Sequence, residues 1–273
     1  MYLTGELPRG TLRSKRFSER NSVDMIGVIV SHITGPKHPD PEAPMTVLSR
    51  STLAVALLVI STALPAVASE SVTRTRMLAA ENIASIVVEA AVGEVRIEPG
   101  ESDAIEARVT LIAKRNTGIG ALPDVSTLQM SATTRGDQLR LEVDSKNIEE
   151  RWVLRLPKKV FSALEAKLGV GEVKITVPAR RIEVDLGVGD ARVDAASGAI
   201  SVRVGTGNAE IRTTRENVGT VEGTTGVGGL TVTGVDGTVD RHWVGGSIAG
   251  KGRGREPIEV TVGVGDLTVT LTD

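Results

Sequence analysis

From Leu164 onward the hydrophobic and polar positions follow a short, repeated rule. Leu164, Ala166 and Leu168 alternate with Glu165 and Lys167; Gly169-Val170-Gly171 intervenes; then Val173, Ile175 and Val177 alternate with Glu172, Lys174 and Thr176. Alternation with period two marks a strand with one buried face, so each unit predicts two short strands joined by a glycine turn. The unit returns as IEVDLGVGDARVDA from Ile182, ISVRVGTGNAEIRT from Ile200, VEGTTGVGGLTVTG from Val221, VDRHWVGGSIAGKG from Val239 and IEVTVGVGDLTVTL from Ile258. Its turns begin at Gly169, Gly187, Gly205, Gly226, Val244 and Gly263, spaced 18, 18, 21, 18 and 19 residues apart.

Two strands this short cannot bury their apolar faces alone, and stacking successive copies solves the problem. Aligned copies give apolar columns. Leu164, Ile182, Ile200, Val221, Val239 and Ile258 form one; Leu168, Leu186, Val204, Thr225, Trp243 and Val262 a second; Ile175, Val193, Ile211, Val232 and Val269 a third. The predicted fold is all-β, a single-stranded β-solenoid with coils of about 18 residues and Gly-x-Gly turns, each copy lying on the one before it. An antiparallel sandwich also uses short alternating strands, but has no reason to hold an 18-residue period. Glycine suits corners that repeat one backbone shape, with φ > 0, beneath a neighbour about 4.8 Å away. A phosphate-cradling loop would need a following helix and a closing Lys-Ser/Thr, and neither is present.

Residues 83–157 carry a looser version. Ala91 to Ile97 copies the turn and strand, and Ala104 to Ala113, Leu128 to Ala132, Leu139 to Val143 and Trp152 to Leu156 read as further strands. They are expected to form wider initial coils capping the stack, with an exposed loop over residues 116–124.

The N-terminal quarter has a different character. Met45 to Glu70 holds Arg50, an apolar run from Leu53 to Leu64 and the small-x-small tripeptide Ala66-Val67-Ala68, the three parts of a secretory signal peptide. The run is about a dozen residues against the roughly 20 needed to span a bilayer; a short anchor or a buried helix is the alternative. Residues 1–44 read as a disordered upstream extension from a misassigned start, 45–68 as the signal, 69–82 as a linker and 83–273 as one domain, irregular to 160 and regular from 161. The protein is thereby expected in the periplasm or outside the cell, with no membrane span once the signal is removed.

Composition narrows the chemistry. Lys and Arg number 32 against 34 Asp and Glu, so no net field draws the chain to nucleic acid. With no cysteine there is no disulfide framework, thiolate metal site or cysteine nucleophile. Aromatics are 2% of residues against 30 glycines, which implies thin aliphatic core layers and frequent turns.

The strand Trp152-Val153-Leu154-Arg155-Leu156-Pro157 running into residues 161–168, followed by repeated G-[VT]-G-[DEN] turns, resembles the "putative adhesin" family of exported bacterial β-solenoid proteins, a domain of unknown function. The resemblance spans about residues 83–273. It implies a fold and an adhesin-like role, and carries over no catalytic residue.

Candidate chemistry is sparse. Glu172, Asp190, Asn208 and Asp266 share a turn column; Gly229 and Ser247 interrupt it, so capping of turn amides fits better than Ca²⁺, which takes six or more oxygens. Outward charges of mixed sign, such as Lys174 and Arg192 near Glu172 and Asp190, predict a self-compensating face. The irregular patch Arg241-His242-Trp243 is the candidate binding site: Trp243 is expected inward, plugging space above Gly223 and Thr225, His242 outward, and Arg241 in an otherwise apolar column. Lys251, Arg253 and Arg255, interleaved with glycines, read as a flexible basic loop open to an anionic partner. Sugar processing would need a pair of facing carboxylates, which no feature singles out, and Trp152 and Phe161 suit the core. No cofactor or metal is expected. The function indicated is a non-catalytic structural or adhesin-like module of the cell envelope, binding a protein or envelope polymer; the alternatives are an envelope-polymer enzyme working through residues 241–243 and an envelope-stress sensor with a membrane partner. The last strand, residues 267–272, has no evident cap and is expected to self-associate through its edge.

Overall fold

The computed structural model describes residues 71–114, 123–144, 147–241 and 244–273. The upstream extension and the signal segment lie outside them. Among the described residues there are fifteen strands and no helix, and hydrogen bonding links all the strands.

The centre of the stack follows the repeat. Strands β7 (Ala163–Ile175), β8 (Arg181–Asp194) and β9 (Ala199–Thr214) pair in parallel. Leu164 lies beside Ile182 and Ile182 beside Ile200, while Ile175, Val193 and Ile211 align likewise. Strand β2 (Ser85–Pro99) adds a rung beneath, with Ile86 beside Leu164 and Ile97 beside Ile175. Within β7 the buried positions are Leu164, Ala166 and Leu168, then Val173 and Ile175. Inward parity therefore switches across Gly169–Glu172, and both halves of the strand feed one core. Each fully buried Leu, Ile or Val contributes on the order of 2 kcal/mol, so the columns carry most of the stability of a domain that buries only two large rings, Trp152 and Phe161.

The corner needs glycine for two reasons. Gly189 has φ of +133°, where a side chain is strained. A Cβ there would also overlap the carbonyl oxygen of Gly171 on the rung below. Gly207 stands in the same relation to Gly189.

Above β9 the order departs from simple succession. The neighbour of β9 is β14 (Glu256–Val264), and β10 (Val218–Val227) comes after it. Ile258 pairs with Ile200 on one side and Val221 on the other. In the second half of the rung, β15 (Leu267–Thr272) lies between β9 and β11 (Leu230–Thr233), with Val269 beside both Ile211 and Val232. The sixth copy thus sits between the third and fourth. The edge expected at residues 267–272 does not exist, because both sides of β15 are paired.

The fifth copy is not a rung. Strands β12 (Asp236–Arg241) and β13 (Gly246–Lys251) form an antiparallel hairpin, and β13 runs antiparallel to β10. Gly223 and Thr225, the two non-aliphatic members of their columns, receive it. A Cβ on Gly223 would come within 2.8 Å of both Ile248 Cγ2 and Leu267 Cδ2, and the Thr225 hydroxyl accepts a 3.1 Å hydrogen bond from Gly246 N–H. Ile248 therefore fills space expected for Trp243.

The opposite end is built from antiparallel strands rather than wide coils. Strand β6 (Ile148–Leu156) pairs with the second half of β2, and β5 (Gln138–Val143) with the first half. Strand β3 (Ala104–Ala113) is antiparallel to β6, and β4 (Met130–Arg135) to β5. Residues Ser71–Ala79, expected as linker, form β1 along β3. Arg74 tethers β1 to the segment beyond it, donating to the Leu128 carbonyl at 3.0 Å and the Ser126 carbonyl at 2.5 Å. Of the expected 116–124 loop, residues 115–122 lie outside the described residues.

Candidate functional site

The patch picked out by sequence is only partly described. Arg241 ends β12, its backbone opposite Gly246; His242 and Trp243 lie outside the described residues. With copy five a hairpin, Arg241 does not occupy the column of Ala166 and Val184. Lys251 closes β13 opposite Thr220 and Asp236 and borders a shallow depression of about 350 Å³ with Glu222 and Thr238. Arg253 and Arg255 follow the turn at residues 215–219 instead. The Arg253 and Arg255 amides donate to the carbonyls of Arg215 and Asn217 at 2.9 and 3.1 Å, and Gly254 N–H to the Val218 carbonyl at 2.7 Å. Arg253 also faces Glu216 at 3.5 Å. The expected free basic loop is a strap bonded to its neighbour.

The turn column behaves as a ladder of caps, read in spatial order. The Asp190 side chain accepts from Asn208 N–H at 3.2 Å, Asn208 Oδ1 from Asp266 N–H at 3.1 Å, and Asp266 Oδ1 from Gly229 N–H at 2.7 Å. Each oxygen serves the amide of the next rung. Outward charges compensate one another across rungs, as in Arg192 to Glu210 at 2.7 Å and Lys167 to Glu165 at 2.6 Å.

Two further features emerge only from the fold. The first is a notch. Pairing of β5 with β2 ends at Leu141 beside Val88, and pairing of β6 begins at Glu150 beside Gly93. Between these points Glu89 to Val92 have no strand on that side. An open cavity of about 530 Å³ results, lined among others by Glu89, Glu142, Glu150, Lys167 and Asp185. Glu150 is 2% exposed. Its Oε2 accepts from Trp152 Nε1 at 2.8 Å, and the Ala91 amide also donates to it. Burial pushes its carboxyl above the ordinary range, and the two hydrogen bonds oppose that shift. Glu89 at the rim is held by Arg140 at 2.6 Å and faces Lys167 at 3.6 Å. The sequence did carry a signal here: Glu150 shares inward parity with Ile148, Trp152, Leu154 and Leu156.

The second feature is a ridge. The middle residues of the Gly-x-Gly corners align by strand pairing as Val170, Val188, Thr206, Val264 and Val227. The four valines are 46–48% exposed. At a rung spacing of about 4.8 Å they draw an apolar line about 19 Å long. Gly169 and Gly187 connect this line to the notch, since both also line that cavity.

The family model described as Toastrack DUF4097 matches residues 83–273. A comparison with curated proteins finds no match. Among solved structures, a "putative cell adhesion protein" from Clostridium sporogenes aligns over 74% of this chain and 100% of its own, at 15% identity and a TM-score of 0.51. A "putative adhesin" from Bacteroides fragilis aligns over 74% and 97%, at 12% identity and a TM-score of 0.31. The first of these shows a shared fold. No described helix is long and apolar enough to cross a membrane.

Proposed function

Since the chain belongs to the Toastrack DUF4097 family over residues 83–273, we propose that it is a non-catalytic β-solenoid, its regular coils about 18 residues long and closed at Gly-x-Gly turns, that works as a structural or adhesin-like binding module of the bacterial cell envelope. Residues 45–68 export it to the periplasm or beyond. The observation that carries this reading is the valine ridge. Soluble proteins seldom leave large aliphatic side chains aligned at the surface unless something covers them, and here the alignment is rigid because each valine rides on a paired rung. The adhesin descriptions borne by the solved structures of C. sporogenes and B. fragilis are compatible with such a role. Binding would occur by laying an extended partner along the ridge, with the notch receiving its end.

The test is retention on isolated envelope fractions and on whole cells, comparing the unaltered protein with V188D/V264D. Both positions are exposed, so the folded stack should survive, as checked by circular dichroism. A drop in retention of tenfold or more supports the reading; equal retention of both proteins would sink it.

A further inference from the structure

The inserted rung has a consequence for how copies of this protein meet. Strands β14 and β15, residues 256–272, fill a slot between β9 on one side and β10 with β11 on the other. Everything that forms the slot precedes them in the chain. They are joined to the rest through Gly252-Arg253-Gly254-Arg255 alone, which leads out of the β12–β13 hairpin.

We propose that this slot accepts the β14–β15 rung of a second copy, so that two chains exchange residues 256–272 and form a reciprocal dimer. Three observations support it. First, the contacts are indifferent to their source. Ile258 beside Ile200 and Val221, and Val269 beside Ile211 and Val232, are the same whichever chain supplies the rung. Exchange preserves both ladders and changes only the connecting segment, the condition under which swapping costs little.

Second, the slot does not close well without its rung. Were β9 to pair with β10 directly, Val202 would face Gly223, which has no side chain. In the intact stack Val260 lies between those two residues, and the Leu267 side chain reaches within 2.8 Å of where a Gly223 Cβ would stand. Ile258, Val260, Val262, Leu267, Val269 and Leu271 are each at most 5% exposed. A released rung therefore uncovers six aliphatic side chains and an unsatisfied slot, and both are removed by exchange.

Third, the connecting segment is suited to opening. It alternates glycine with exposed arginine, and its hold on the turn at residues 215–219 consists of backbone hydrogen bonds that water can replace.

The chain's lack of cysteine makes the test clean. Arg203 and Thr261 are both exposed and directly paired between β9 and β14. In the full-length R203C/T261C chain, oxidation at low concentration should link the two within one molecule. Equimolar R203C and T261C chains are then unfolded together in denaturant, refolded at high concentration and oxidised. Exchange predicts a disulfide between one chain's residue 203 and the other's 261, present in about half of the dimers by random mixing and absent when the two folded proteins are merely combined. Formation of the intramolecular bond without any mixed disulfide after co-refolding would overturn the proposal. So would failure of the intramolecular bond, since it would remove the rung order on which the proposal stands.

Discussion

Ile258 lies in register beside Ile200, 58 residues earlier in the chain, and separates it from Val221 of the copy that follows Ile200 in sequence. The interval between these two copies is also the one irregular spacing among the glycine corners, Gly205 to Gly226. Its three additional residues, Arg215 to Asn217, carry the chain past the inserted rung to the start of β10. Asn217 fastens this crossing. Its amide donates to the Gly198 carbonyl at 3.0 Å, and its Oδ1 accepts from Gly198 N–H at 2.9 Å. Its backbone carbonyl receives the amides of Arg255 and Glu256 at 3.1 and 3.0 Å.

Asn217→Ala should therefore destabilise the domain by about 1–3 kcal/mol, because the buried Gly198 backbone loses a donor and an acceptor together. Urea unfolding of the variant checks this. A midpoint unchanged from the unaltered protein would mean that water serves Gly198 equally well.

The glycine corners give a graded series. Gly189→Ala combines an unfavourable φ with overlap onto the Gly171 carbonyl and should cost on the order of 3 kcal/mol or more. Gly136→Ala should cost only about 1 kcal/mol, since φ there is +62° but the space around a Cβ is open. Thermal or urea denaturation of the two variants side by side separates conformational strain from collision. Equal losses would show that collision contributes nothing.

Much of this architecture is legible from alternation and period. The columns through Leu164, Ile182 and Ile200 and through Ile175, Val193 and Ile211 are where the spacing puts them, because both are set by backbone geometry. The order of rungs is not legible in the same way. Ile200, Val221 and Ile258 are chemically alike, so the pattern says which residues are equivalent without saying which copies touch. The 21-residue interval was the trace left by the insertion. The hairpin at copy five also left a trace: Val244 replaces the first corner glycine, and Ser247 stands where the capping acids stand elsewhere. The notch depends on where β5 and β6 part from β2, a long-range event with no local signature beyond the inward parity of Glu150.

The turn ladder predicts a modest, position-specific effect. Asp266→Ala removes both the acceptor for Gly229 N–H and a rigid link between rungs, and should lower stability by roughly 0.5–1 kcal/mol. Asp266→Asn retains an oxygen at the same place and should recover most of that loss. If the two variants unfold at the same urea concentration, the cap is not what Asp266 contributes.

Glu150 supplies a pH dependence of defined sign. Burial raises its folded carboxyl above the ordinary value of 4.5, so within the window between the unfolded and folded values the native state holds a proton that the unfolded state has released. Stability contributed by this group is thus full below the unfolded value and is lost as pH rises through the folded one. Its neighbour Glu149 works in the opposite direction: the Lys114 ammonium, at 2.5 Å, is the chief cause lowering its value, so its contribution is present above the unfolded value and is lost as pH falls through the folded one. The two can be separated by comparing the unaltered protein with Glu150→Gln across pH 4 to 8. Gln retains an oxygen for the Trp152 indole and carries no charge, so the variant should gain on the unaltered protein steadily as pH rises above the ordinary carboxyl range. Parallel stability curves across that range would show that Glu150 titrates as freely in the fold as in the unfolded chain, and that the notch is open to water down to its floor.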